Sequence, residues 1–194
     1  MTHDPSEIIL LPPRRDNPSK ILRYMTPEER LNVEKELLSE LTIWSDHPQF
    51  NPKNPRANVL KHGKSFHIYN INFIGEILED YRHLFPKTLE YIHSWTGEDM
   101  NKLGRSYWHR LMPGERIELH HDNSNGYFRT VKRHHLYMDV PLDFHVVLDG
   151  HLWNVYPENK LTNALVSFNL FDWHYFINHT DRPMYMLVFD FYPG

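Results

Sequence analysis

From Gly104 onward the chain breaks into eight short runs of β-branched and aromatic residues, at 105–112, 116–120, 131–140, 144–148, 152–156, 164–170, 173–179 and 184–192. Pro113-Gly114, Asp149-Gly150 and Pro157-Glu158-Asn159 stand between them, where hairpin connections need residues that turn tightly. Strands in that number and at that spacing close on one another as a sandwich or barrel. The expected fold is therefore mainly β, with whatever precedes it packed against the outside.

The first hundred residues read differently. Residues 1–25 are rich in Pro, charge and turn formers and predict an irregular or partly extended lead-in. Thr26-Pro27-Glu28-Glu29 is a capping box with Pro at the first helical position, and Leu31, Leu37, Leu38 and Leu41 continue a helical stripe ending near Leu41. Residues 46–55 carry Pro48, Pro52 and Pro55 and read as loop, and 66–73 alternate as a strand. Two short helices are expected at 75–84 and 86–95, broken at Pro86. This divides the chain into an N-terminal extended and helical elaboration, 1–104, and a β core, 105–194, within one compact domain.

Composition narrows the chemistry. Aromatic residues at 14% and hydrophobic residues at 40% mark a folded chain. A formal charge of −4 argues against nucleic acid as the partner. With no cysteine, a metal would have to be held by imidazole and oxygen. The longest early apolar run, Ile8-Ile9-Leu10-Leu11, stops at Pro12-Pro13 and is too short for a membrane span or a signal-peptide core. The expectation is a soluble cytoplasmic protein with no membrane partner.

His120-His121-Asp122 then carries weight. Side chains at i and i+2 of a strand point the same way, so His120 and Asp122 can both enter a barrel lumen. Chance alone predicts roughly one His-x-Asp in a chain this rich in histidine, so the tripeptide proves nothing by itself. A second, His179-Thr180-Asp181, has no histidine after it to complete a site. His174 lies 54 residues beyond His120, a gap that fits several strands of a barrel. Two histidines and one carboxylate make the facial triad that holds Fe(II) in non-haem oxygenases and leaves three positions open. His179 competes with His174 for the distal position, and Arg182, in the last apolar run, would anchor the far carboxylate of a cosubstrate.

The order Pro113-Gly114-x-x-Ile117-x-x-His120-x-Asp122, Arg133-x-His135-Leu136, Asp149-Gly150, Phe171-Asp172-x-His174-x-x-x-Asn178, Arg182 and Phe189-Asp190-Phe191 resembles the aspartyl/asparaginyl β-hydroxylase family. That family includes bacterial proline hydroxylase-like members. The likeness begins near Phe85-Pro86-x-Thr88 and runs on from there. It implies a double-stranded β-helix, the jelly-roll or cupin-like architecture, that binds Fe(II) and 2-oxoglutarate and uses dioxygen. His120, Asp122 and His174 would be the iron ligands, and Arg182 would pair with the distal carboxylate of 2-oxoglutarate. Arg133 and His135 would lie beside its iron-chelating end. His109 stands where the family places a small hydroxyl residue near the distal carboxylate, and the segment between Asn178 and Arg182 is about two residues short.

By that resemblance the protein is an Fe(II)- and 2-oxoglutarate-dependent dioxygenase that hydroxylates a C–H bond. Its partner would be a free amino acid, or an Asp, Asn or Pro residue in a peptide. The alternatives are a non-catalytic β-helix that binds metal or ligand, and a cupin-type isomerase or hydrolase using another divalent metal. The last has no use for Arg182.

Overall fold

The computed structural model describes residues 19–39, 64–71, 76–120, 122, 131–138, 140, 144–148, 151–154, 160–171 and 173–192. In chain order these form β1 (Lys20–Tyr24), α1 (Pro27–Ser39), β2 (Lys64–Ile71), β3 (Ile77–Asp80), α2 (Pro86–Thr96), β4 (Leu103–Leu111), β5 (Arg116–His120) and β6 (Lys132–Met138). They continue with β7 (Phe144–Leu148), β8 (His151–Trp153), β9 (Ala164–Phe168), β10 (His174–Asn178) and β11 (Met184–Phe191). The expected lead-in at 1–18, the loop at 46–55, Leu41 and His121 lie outside the described residues.

The strands build two antiparallel sheets, a major one in the order β1-β9-β6-β11-β4-β2-β3 and a minor one in the order β5-β10-β7-β8. Side chains of both meet in one apolar layer. Ile117, Phe144, Val146, Leu148 and Phe176 of the minor sheet pack with Leu111, Tyr137, Val166, Met184, Met186 and Val188 of the major one. The strand count predicts a sandwich or barrel and the family resemblance a jelly-roll; the two sheets form that jelly-roll, and the lumen is the space between their facing sides.

The central strands of the major sheet, β6, β11 and β4, are buried on both faces. The outer face of the sheet, with Phe66, Ile68, Trp108, Leu136, Leu187 and Phe189, packs in a second layer with Val33 and Leu37 of α1 and Ile92 of α2. A strand covered on both sides has no solvent-facing position, which is why β11 reads as an almost unbroken apolar run. The stripe of α1 is narrower than its leucines suggest: Val33 and Leu37 are buried, while Leu31 and Leu38 are exposed.

Of the helix expected at 75–84, the described residues 76–84 form none. Ile77–Asp80 is an edge strand whose Tyr69↔Asp80 and Asn70↔Glu79 pairings continue β2, followed by a single 3-10 turn at Arg82–Leu84. The segment lacks a helical face to bury, since Ile77 and Leu78 are both exposed, whereas the open edge of β2 offers its backbone a ladder. β1, β2 and β3 all belong to the major sheet, so residues before 104 complete the sheet as well as cover it. No helix among the described residues is long and apolar enough to cross a membrane.

The capping box forms as its residues predict, with Glu29 N–H donating to Thr26 Oγ1 at 3.2 Å and Thr26 N–H to Glu29 Oε2 at 2.8 Å. α2 has no such residue at its own start. Instead Glu36 of α1 accepts from Lys87 N, Thr88 N and Thr88 Oγ1 at 2.7, 2.8 and 2.7 Å, so one helix caps the next. Glu36→Ala should cost roughly 1–3 kcal/mol of stability, read from the urea midpoint, because charge-assisted bonds to helix N–H groups go unreplaced.

His134, on the outer face of β6, stacks on Phe189 at 5.3 Å, and its Nδ1 has no hydrogen-bond partner among the described residues. Burial lowers its pKa from 6.5 to about 4, against the pull of Glu98 and Asp190. The unfolded chain therefore takes up a proton that the folded one refuses, so stability is fully present above pH 6.5 and is lost as pH falls toward 4. His134→Phe should remove on the order of 3 kcal/mol of that acid sensitivity, seen as a flatter plot of denaturation midpoint against pH between 7 and 4.5.

Candidate metal centre

The register of the minor sheet sets the site. β10 pairs with β5 so that His174 stands directly across from His120. The two Nε2 atoms are 3.1 Å apart. Asp122, just past the end of β5, is pinned by its own N–H to Leu170 O at 3.1 Å. Its Oδ1 lies 3.6 Å from His120 Nε2 and its Oδ2 3.8 Å from His174 Nε2. One donor atom from each of the three residues falls within 4.8 Å of the others. Metal–nitrogen bonds of about 2.1 Å at right angles would place neighbouring donors about 3 Å apart, so this spacing suits one face of an octahedral ion.

The imidazole of His174 is wedged between Phe168, edge-on at 4.7 Å, and Phe176, at 6.0 Å. Along β10, His174, Phe176 and Asn178 are buried and alternate with half-buried Tyr175 and Ile177, the strand period expected of a wall with one face on the lumen.

Arg133 reaches the site from the opposite sheet. Its Nη1 donates to Asp122 Oδ2 at 2.5 Å, while Nε and Nη2 grip the two oxygens of Asp190 at 2.7 and 2.8 Å. Asp190 faces Arg133 in register across the β11–β6 ladder and is fully buried. Burial works against the charge on Arg133, but the two carboxylates outweigh it and hold the guanidinium well above its ordinary pKa. Burial likewise pushes the Asp122 carboxyl up, and Arg133, with His174, His120 and Arg105, more than reverses this and leaves it lowered. The carboxylate is thus kept ionised and oriented, the state a metal ligand needs.

Below the triad lie His135 and His109, both buried. His135 stacks on Phe168 at 4.0 Å and shares its Nδ1 with the hydroxyl of Tyr137 at 3.2 Å. His109 shares its Nδ1 with Ser65 Oγ at 3.0 Å. Burial, then the neighbouring His120, lowers the His109 pKa to about 4. Burial, then Arg133 and His174, lowers that of His135 well below the usual value. Both rings are neutral near pH 7.

Arg182 is elsewhere. The fully buried Asn178 donates from Nδ2 to Leu111 O and Arg182 O at 2.8 and 2.9 Å, and its Oδ1 accepts from Thr180 N and Thr180 Oγ1. These bonds tie residues 178–182 into a turn closed by Pro183, so β11 begins only at Met184 and Arg182 is exposed. The expected position in an apolar strand facing the lumen is not occupied by Arg182. The lumen face of β11 carries Met184, Met186 and Val188, then Asp190.

His120, Asp122, His174, Arg133, His135 and His109 are therefore gathered around one lumen, and Arg182 lies outside it. Sequence reasoning assigned no role to Asp190, Tyr137 or Ser65. Asp190 carried a signal, an acid inside an apolar run at the same parity as Val188. Ser65 carried none, since it meets His109 only through the Ser65↔His109 register of β2 and β4.

Fold and site together define a double-stranded β-helix protein with a His-Asp-His cluster that could hold a metal ion. The chain belongs to the aspartyl/asparaginyl β-hydroxylase family, whose sequence pattern matches residues 32–193. Among solved structures it resembles a Pseudomonas putida prolyl-4-hydroxylase, at 11% identity and a TM-score of 0.51 over 91% of each chain. It also resembles EvdMO1, at 13% identity and 0.52 over 93% of this chain and 48% of that one. A third neighbour is the apo form of the non-heme monooxygenase ThoJ, at 14% and 0.50 over 89% of this chain and 72% of that one. At these identities the likeness is one of fold. No curated protein sequence matches the chain.

Asp190→Asn should leave Arg133 buried with half of its compensating charge. Removing one partner of such a pair typically costs about 3–5 kcal/mol, and urea denaturation at pH 7 should show a loss in that range.

Proposed function

We propose that the protein is an Fe(II)- and 2-oxoglutarate-dependent hydroxylase acting on a C–H bond of an amino acid, or of an Asp, Asn or Pro residue in a peptide. The observation that carries this reading is the convergence of His120, Asp122 and His174 in the family fold, with the Asp122 carboxylate facing both imidazoles. Bound Fe(II), with 2-oxoglutarate and dioxygen, supplies the oxidising power for hydroxylation, 2-oxoglutarate leaving as succinate and carbon dioxide. The protein's part is to place groups and exclude water.

Each residue then has a task. His120, Asp122 and His174 hold the metal through one face and leave the other open. Arg133 keeps Asp122 ionised and turned toward the imidazoles, while Asp190 balances Arg133. Phe168, Phe176 and Val146 wall the lumen and keep water from the reacting centre. Charge supports the same reading. A divalent ion at Asp122 would bring positive charge into a largely buried site, and a dianion such as 2-oxoglutarate would offset it. The proline- and aspartyl-directed activities in the names of the neighbour and the family support an amino-acid or peptide substrate. A net charge of −4 speaks against an anionic polymer.

The test is succinate formation from 2-oxoglutarate by the Fe(II)-loaded protein, offered a panel of free amino acids and Asp-, Asn- and Pro-containing peptides beside oligonucleotides. At least one amino acid or peptide should stimulate turnover and become heavier by one oxygen. His120→Ala, Asp122→Ala and His174→Ala should each abolish stoichiometric metal binding and this turnover while leaving the thermal transition cooperative. Stimulation by oligonucleotides alone would overturn the substrate class, and metal binding without turnover on any member would leave a non-catalytic β-helix.

A further inference from the structure

We propose that Arg105 and Glu79 are specificity-determining residues: together they select a substrate that carries a carboxylate and an ammonium group side by side, a free α-amino acid, over a residue inside a peptide. The inference rests on the function proposed above and narrows its substrate.

The apolar layer between the sheets ends at β4. Among the described residues it takes Tyr107 and Leu111 from that strand and none from β2 or β3. The lumen side of those two strands is polar instead. From the position paired with Tyr107, the ring of His67 meets the tyrosine edge-on at 5.4 Å, so the two share a face. A carboxylate only accepts, so His67 Nδ1 donates to Glu79 Oε2 on β3, at 2.7 Å. Asn70 Nδ2 donates to the same oxygen at 3.3 Å. A polar shelf thus continues from Tyr107 to the edge of the major sheet.

Two opposite charges stand on this shelf. Glu79 is the negative one. His67 and Asn70 fix it through one oxygen, and with 31% of its side chain exposed it is open to a ligand. Burial lowers the pKa of His67, with Glu79 opposing and Arg105 assisting, so near pH 7 a neutral ring orients the carboxylate without cancelling its charge.

Arg105 is the positive one. It lies two residues before Tyr107, on the same face of β4. Its charge acts on Tyr107, His67 and Asp122 alike, so a group held by Arg105 lies beside the candidate metal ligands. Asp122 already has Arg133 at hydrogen-bonding distance, and its orientation does not call for a second arginine. A guanidinium has five N–H donors, enough to take a carboxylate beside any partner it already has.

Register brings the two charges level. Ser106 pairs with Tyr69 and Asn70 with Glu79, so Arg105, one residue before Ser106 on β4, stands across β2 from Glu79. Two strand spacings separate their backbones, about 10 Å, and both side chains reach inward from there. An α-amino acid bridges such a gap with one charge-assisted hydrogen bond of about 2.8 Å at each end. A residue inside a peptide has an amide in place of each charge and leaves both groups unmatched.

The experiment measures succinate formation by the Fe(II)-loaded protein with the common L-amino acids, each offered free, N-acetylated, as the carboxamide and blocked at both ends. On the best free amino acid, wild-type kcat/KM should exceed that on the N-acetyl and carboxamide forms, each by on the order of a hundredfold. Glu79→Gln should shrink the preference for the free amine by roughly tenfold or more and leave the preference for the free carboxylate within about threefold. Arg105→Gln should do the converse, and Arg105→Lys, which keeps the cation, should retain part of the preference. Ratios taken within one variant cancel any general loss of stability or of metal. Calorimetric titration of the Zn(II)-loaded protein, which does not turn over, should give the same order of affinities. A doubly blocked residue used as well as the free amino acid, or a ratio unmoved in either Gln variant, overturns the assignment and leaves the proposed function standing. Failure of every form to stimulate succinate formation overturns the proposed function, and the assignment with it.

Discussion

A single buried guanidinium joins the two sheets at the place where their chemistry meets. Arg133 projects from the major sheet, takes both oxygens of Asp190 on the neighbouring strand, and extends its remaining arm to Asp122 at the end of the minor sheet. Desolvating such a cation costs several kcal/mol, and only carboxylates with good geometry return that energy. Here two of them do so, and one is the candidate metal ligand. The N–H of Asp122 donates to Leu170 O, a main-chain contact that fixes its backbone and says nothing about its side chain. The lumen's electrostatics and the site's geometry are therefore one problem. The charge that keeps Asp122 ionised is also the fork that aims it.

That arrangement depends on a sheet whose central strands are buried on both faces. β11 runs between β6 and β4 in the middle of the major sheet, so its odd-numbered residues support the helical layer and its even-numbered residues line the lumen. A shift of one residue would exchange the two sets, placing Phe189 in the lumen and Asp190 under the helices. The capped helices α1 and α2 contribute to the site in this indirect way. By covering the outer face with Val33, Leu37 and Ile92, they make the register that presents Asp190 to Arg133 the one with both faces satisfied.

Much of this was legible in the sequence, and the parts that were not share a cause. The β runs after Gly104 and the capping box at Thr26 are local patterns, decided by residues close in the chain, and they stand where expected. The grouping of His120, Asp122 and His174 was legible because strand parity and the order of several short motifs pointed the same way. Residues 75–84 misled because an edge strand of four residues is made by its neighbour: β2 offered an open edge that no local pattern records. Arg182 misled for the opposite reason. It has the parity of Met184, but the bonds of Asn178 break the strand before parity can act. Asp190 and Ser65 gain meaning only through cross-strand register, which joins Asp190 to Arg133 and Ser65 to His109 over long stretches of chain.

The lumen is graded from end to end, and the gradient follows from which groups can afford charge. At one end Arg133 and Asp122 hold each other in their charged forms, and Asp190 accepts the two remaining hydrogen bonds of the guanidinium. Farther in, Met184, Met186, Leu111 and Phe144 leave no partner for an ion, and His109, His135 and Tyr137 are all driven toward their neutral forms by burial. A buried imidazole can stay neutral and leave a hydrogen bond unmade at a cost of roughly 1–3 kcal/mol, whereas a buried guanidinium keeps its charge and must be met by opposite charge. The placement of Arg133 follows from that difference, since it stands where carboxylates from two strands reach it, while the histidines lie among apolar neighbours.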